Sequence, residues 1–208
     1  MMEIRDGVEI HDMRGTVPSP RGGRGMREWS EIRGVMLHRT ACVLGEDPDR
    51  WKPLNAHIGI TLDGRIMLPH PWELMIWHGH GPSPWTIGIE IDGNPEGFPG
   101  YYWHEGKGPH PITDAQVRAG EVLLEMLITA FTAHGRHLER IVAHRQADAS
   151  RESDPGWECW QKIALPWMAL TGATPGATAI HRGDTWGSGH QIPREWDPQS
   201  TARFWPAV

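Results

Sequence analysis

The chain is poor in cysteine: Cys42 and Cys159 are its only thiols in 208 residues. A single bridge is a weak frame for this length, so a disulfide scaffold is excluded and the thiols fit a reducing compartment. Long apolar runs are missing too, and nothing approaches the ~20 residues needed to cross a bilayer, so no membrane insertion is expected. Basic clusters are also absent. Lys and Arg number 20 against 26 Asp and Glu, a formal net charge of −6, which argues against a nucleic-acid partner held by charge. The first fifteen residues mix acids and bases without the apolar stretch of an export signal, so synthesis in the cytoplasm is the expectation.

Phe (3) and Tyr (2) are scarce, and 12 Trp carry the aromatic content beside 13 His, 25 Gly and 18 Pro. This is a composition of loops and flat indole surfaces, suited to a sugar or a rigid ligand and equally to core filling. Hydrophobic residues reach 38%, enough for one packed core. The organisation expected is a loop-rich lead-in over 1–30 with one short strand at Val8–His11, a main domain over 31–170, and an extension over 171–208 packed on it. An independent wall-binding module is the alternative for the Trp-containing extension.

Gly34-Val-Met-Leu-His38 and Ile141-Val-Ala-His144 both look like buried strands that deliver a histidine to their ends. Asp63-Gly64 between two β-prone segments predicts a hairpin. Thr113-Asp-Ala-Gln116 is a capping box. It opens a helix whose apolar stripe is Val117, Leu123, Leu124, Leu127, Ile128 and Phe131, with Gly135 as the stop. A second helix is expected from about Trp157 to Leu165, ending before Pro166. Strands alternating with an amphipathic helix indicate an α/β fold with a central sheet flanked by helices.

A catalytic zinc site needs three protein ligands and an open position. His38, His144 and Asp154, ten residues beyond the second histidine, form such a candidate set. Each residue alone also has a structural reading, as a hydrogen-bonded histidine or a turn acid. A purely structural zinc would need a fourth ligand, for which Cys159 is the nearby thiol. Glu90 sits within Ile87-Gly-Ile-Glu-Ile91, where an ionised carboxylate is costly to bury without a partner. It is therefore expected to open into a polar site, with a raised pKa suited to proton transfer; an edge-strand Glu90 facing solvent is the alternative.

Five ordered blocks, Val35-Met-Leu-His38-Arg-Thr, Ala56-His57-Ile-Gly-Ile with Asp63-Gly64, Trp77-His78-Gly, Ile87-Gly-Ile-Glu90-Ile-Asp-Gly and Val142-Ala-His144-Arg with Asp154-Pro-Gly, resemble the zinc-dependent N-acetylmuramoyl-L-alanine amidases, which share a fold with peptidoglycan recognition proteins. The resemblance implies a mixed β-sheet flanked by helices, with the site in a groove on one face. It implies zinc ligands at His38, His144 and Asp154, and a general base at Glu90 acting on a metal-bound water. The bond cut would be the amide joining N-acetylmuramic acid to L-alanine of the stem peptide, and the partner bacterial peptidoglycan or a muropeptide.

This sequence departs from the family in two places. The lysine common two residues before the last ligand is Glu152, and the tyrosine before the hairpin histidine is Ala56. A carboxylate at 152 would repel charge developing on the scissile carbonyl, so another donor is needed. His57, His78, Arg145 and Arg151 are the candidates, with His78 ranked first and His80 a neighbour; Trp77 belongs to the groove-lining segment. The expected role is a phage-type lytic enzyme reaching the wall after release. The alternatives are a cytosolic muropeptide-recycling amidase and a non-catalytic peptidoglycan-binding module. A zinc peptidase of the His-Glu-x-x-His kind is disfavoured because that motif is absent.

Overall fold

A computed structural model describes residues 1–176 and 189–200. Among them the strands are β1 (Met2–Arg5), β2 (Val8–Asp12), β3 (Gly23–Met26), β4 (Gly34–Arg39), β5 (Ile58–Ile60), β6 (Ile66–Leu68), β7 (Leu74–Ile76), β8 (Thr86–Ile91), β9 (Glu96–Phe98), β10 (Tyr101–Tyr102), β11 (Arg140–Ala143) and β12 (Thr174–Pro175). Eight build one mixed sheet in the order β1-β2-β6-β5-β8-β4-β11-β12, while β9 with β10 and β3 with β7 form two small antiparallel pairs. The centre, β5-β8-β4-β11, is parallel throughout. Such strands are covered on both faces and read as apolar runs, as Gly34–Arg39 does.

Side chains alternate across a strand, and this alternation decides where chemistry can occur. Val35, Leu37, Ile87, Ile89, Ile91, Ile141 and Ala143 share one core with Leu123, Leu127 and Phe131 of helix α1 (Asp114–Ala133). The alternate positions Met36 and Val142 belong to a different cluster, closed by Trp85 and Ala147. His38 and Glu90 have the parity of Met36. They therefore lie on the face away from α1.

The capping box closes as expected: Gln116 N–H donates to Thr113 Oγ1 at 3.0 Å, and Thr113 N–H to Gln116 Oε1 at 3.1 Å. Gln116 is itself buried and donates to the Asp92 carbonyl just beyond β8, so the cap also fixes α1 to the sheet. Ile128 falls on the outer edge of the stripe and is 40% exposed. The Asp63-Gly64 hairpin forms between β5 and β6, with Gly64 at φ 85°.

Two expectations are corrected. The lead-in contributes three strands: Asp6-Gly7, with φ of 50° and 79°, turns β1 back on β2, which joins β6, and β3 pairs with β7. The second helix does not stop at Pro166. A short α-helix α3 (Trp157–Cys159), a π-helical stretch (Trp160–Ala164) and α4 (Leu165–Thr171) follow one another without a break. Pro166 lies inside this continuous run, directly after the wider π turn, which accommodates a residue without an N–H.

Part of the 171–208 segment falls on described residues. Trp196 is fully buried, its Nε1–H donates to the Gly97 carbonyl at 2.9 Å, and His190 N–H donates to the Arg145 carbonyl. Trp186, and with it the Trp-Gly part of the module reading, lies outside the described residues. None of the described helices is long and apolar enough to cross a membrane.

Candidate metal centre

The parallel register sets His38 beside Glu90 on β4 and β8, and pairs Leu37 with Ala143, so that His144 follows beside His38. Three chemistry-bearing residues thus gather at the carboxyl ends of adjacent strands, the usual crevice of such sheets. Asp154 arrives from the loop after α2 (His144–Ala147). Its Oδ1 accepts from the Arg39 N–H at 3.1 Å and its carbonyl accepts from the Arg145 N–H at 3.0 Å, which ties the loop to β4 and α2.

His38 Nδ1 lies 2.9 Å from His144 Nδ1, which lies 3.0 Å from Asp154 Oδ2. Neighbouring ligand atoms around a tetrahedral zinc are about 3.3 Å apart, given bonds near 2.05 Å. Two imidazole nitrogens and a carboxylate oxygen are a zinc-type donor set. All three residues are at least nine-tenths buried.

Hydrogen-bond direction fixes the tautomers. The Thr86 hydroxyl donates to the Pro82 carbonyl at 2.8 Å, so both Thr86 oxygens facing His78 Nε2, each at 3.3 Å, are acceptors. His78 therefore carries its proton on Nε2, and its Nδ1 accepts from His38 Nε2–H at 3.0 Å. That leaves the His38 Nδ1 lone pair aimed at His144 and Asp154. A proton on His144 Nδ1, or a cation in its place, meets both this lone pair and the Asp154 carboxylate. Gly88 makes room for the relay, because a Cβ there would meet the His78 ring at 2.7 Å. Burial holds the His78 pKa down to about 3 and depresses His38 well below the usual imidazole range, so both rings stay neutral as ligation requires.

Glu90 is half-buried, and its Oε2 is shielded from solvent with no hydrogen-bond partner. Burial, and then the Asp154 charge, push its pKa up to about 8; Arg151 pulls the other way. A cavity of about 670 Å³ opens from Asp154 and is lined by Arg39, Phe98, Tyr101, Trp103, Arg151 and Glu152 among others. The Arg39 guanidinium lies 5.7 Å from the Trp103 ring centroid and donates to Ser153 Oγ and the Pro95 carbonyl, so it serves the cavity wall.

A family model described as N-acetylmuramoyl-L-alanine amidase (Amidase_2) matches residues 28–157. The chain belongs to this amidase family. Its fold is similar to that of the endolysin amidase LysCS from Clostridium intestinale URNW (14% identity, TM-score 0.54, 79% of this chain and 96% of that one). LysC from the same organism (15%, 0.51, 79% and 98%) and Drosophila PGRP-LB (14%, 0.52, 79% and 96%) share it. No curated protein matches the sequence. This amidase carries the His-His-Asp cluster typical of the family's catalytic members.

The residues proposed to meet charge on the carbonyl separate sharply. His57 is fully buried: its Nδ1 accepts from the Gly88 N–H at 2.9 Å and its Nε2 donates to the Leu74 carbonyl at 2.7 Å, so both nitrogens are spent on the sheet. Arg145 is buried against Phe98 and Trp196, at 5.7 and 5.0 Å from their ring centroids, and donates to the carbonyls of Gln191 and Glu152. His78 stands behind His38. Arg151, ending the short turn Ala149–Arg151, is exposed, lines the cavity with Asp154, and its charge reaches His38 and Glu90. Cys159 is a buried core residue whose thiol pKa burial raises, and it is outside the ligand cluster. Trp77 presents an indole 46% exposed, directly before His78.

His80 lies on the outer side of His144. Its Nε2 is 3.0 Å from Asp148 Oδ2, and its backbone takes φ 57°. A left-handed non-glycine residue costs roughly 1–3 kcal/mol. A contact this exposed, ionic only when the imidazole carries a proton, returns only ~0–1 kcal/mol.

Proposed function

We propose that this amidase hydrolyses the bond between the lactyl group of N-acetylmuramic acid and L-alanine of the stem peptide, with His38, His144 and Asp154 holding a zinc ion. The observation that carries the reading is the convergence of two imidazoles and one carboxylate at ligand spacing, beside a carboxyl group whose buried oxygen lacks a partner. When bound, zinc supplies Lewis acidity, which polarises a carbonyl and acidifies water.

The protein's own groups do the rest. Glu90 takes a proton at Oε2 from the attacking water and returns it to the departing alanine nitrogen, a transfer its raised pKa near neutrality favours. Arg151 faces the charge that builds on the carbonyl oxygen, in place of the lysine that position 152 lacks. His78, anchored on Thr86, keeps the His38 Nδ1 lone pair directed into the cluster. The aromatic wall of Tyr101 and Trp103 excludes water and offers flat surface to the substrate.

We read the enzyme as lytic, acting on intact wall, supported by half-exposed Trp77 and Tyr101 on a chain rich in indoles. The test compares turnover on purified sacculi and on soluble anhydromuropeptide, with mass spectrometry of the released peptides. Free N-terminal alanine, lost on chelation and regained with zinc, is the expected result. Activity that persists in metal-free protein overturns the metal reading, and faster turnover of soluble muropeptide overturns the lytic one.

A further inference from the structure

We propose that His80, Asp148 and His144 form a second, outer site for a divalent cation, which shares His144 with the inner cluster and is where zinc first lands. The three residues offer ligand atoms that all lie within 4.8 Å of one another. The His80 to Asp148 separation of 3.0 Å is close to the spacing of neighbouring ligands on tetrahedral zinc. The Asp148 carboxylate is held in place, since one of its oxygens accepts from the Ser150 N–H at 2.9 Å, which leaves the other facing His80.

The backbone supports the assignment. His80 holds a left-handed conformation inside a tight loop, where its carbonyl accepts from the Ser83 N–H at 3.0 Å and Ser83 Oγ accepts from the N–H groups of His78 and Gly79. The exposed contact with Asp148 does not repay that conformation. Strain of this kind gathers at functional positions.

Access differs between the two sites. The His80 side chain is 53% exposed, whereas His38 and Asp154 are buried, so His80 and Asp148 offer an ion from solvent an approach on the outer side of His144, apart from the cavity that opens at Asp154. Because His144 is common to both, one ion moves from the outer set to the inner set by exchanging His80 and Asp148 for His38 and Asp154. The inference rests on the reading of His144 as an inner ligand.

Isothermal titration with zinc at pH 7 tests it in folded variants that lack the inner site. His38→Ala is compared with His38→Ala/His80→Ala, and Asp154→Asn with Asp154→Asn/His80→Ala, near-UV circular dichroism confirming the fold of each. The inner-site variants are expected to bind one zinc, and removal of His80 to weaken that binding at least tenfold. A change below twofold in the folded pairs, or no zinc binding by either folded single variant, overturns the outer site. In the otherwise unaltered protein, His80→Ala should slow stopped-flow zinc uptake at least threefold; an unchanged rate overturns the landing role. A zinc-loaded wild type that fails to cleave peptidoglycan would refute the amidase chemistry and leave these titrations standing.

Discussion

Removing the His78 ring should weaken zinc binding without touching a ligand. His78 accepts from His38 Nε2–H and donates onward to the fixed carbonyl of Thr86, so without it nothing selects the His38 tautomer whose Nδ1 faces His144 and Asp154. Loss of such an outer partner typically costs 10–100-fold in metal affinity, or ~1.4–2.7 kcal/mol. The assay is competition with a chromophoric chelator at fixed pH, on His78→Ala, His78→Asn and the parent. His78→Asn keeps an acceptor oxygen near the Nδ1 position and should recover most of the affinity. Gly88→Ala, whose added carbon would press on the ring at 2.7 Å, should lose affinity by an independent route. A His78→Ala protein that is folded and binds zinc within twofold of the parent would refute the relay.

Glu90→Gln should keep zinc affinity but lose ~10²–10⁴ in turnover, as expected for a positioned proton carrier; a rate within threefold of the parent removes Glu90 from the mechanism. Arg151→Ala should lower kcat by about 10²–10³ with KM little changed, and Arg151→Lys should recover part of it. Arg145→Ala should instead lower the unfolding temperature, because that side chain is packed on Phe98 and Trp196; equal kinetic effects in the two arginine variants would contradict the division. In metal-free protein, Glu90 holds a proton in the folded state up to about pH 8 that the unfolded chain releases near 4.5, so its contribution to stability falls as pH rises through that window. The difference in unfolding temperature between parent and Glu90→Gln should move accordingly from pH 5 to pH 8 and then level off; a flat difference denies the burial of the carboxyl group.

What the sequence made legible is local pattern joined to strand parity. Two apolar runs ending in histidine, and Glu90 inside a third, become one cluster because parallel neighbours align their carboxyl ends. The capping box and the Asp63-Gly64 turn are short-range signals, and the fold honours both. The Asp6-Gly7 pair between Met2–Arg5 and Val8–Asp12 carries the same hairpin signal and would have exposed β1 and β2. Long-range partnerships are different. Nothing near Arg145 announces Trp196, fifty-one residues on, and nothing near His57 shows that Gly88 and Leu74 consume both its nitrogens. His78 was legible as part of the site, but its place behind His38 depends on the absence of a side chain at Gly88 on another strand.

The central claim is that one ion sits among His38, His144 and Asp154. Anomalous diffraction at the zinc edge from crystals of the zinc-loaded protein tests it most directly. One dominant peak is expected within bonding distance of His38 Nδ1, His144 Nδ1 and an Asp154 carboxylate oxygen. A zinc-loaded crystal whose only peak lies at Cys159, or elsewhere away from these three side chains, would contradict it.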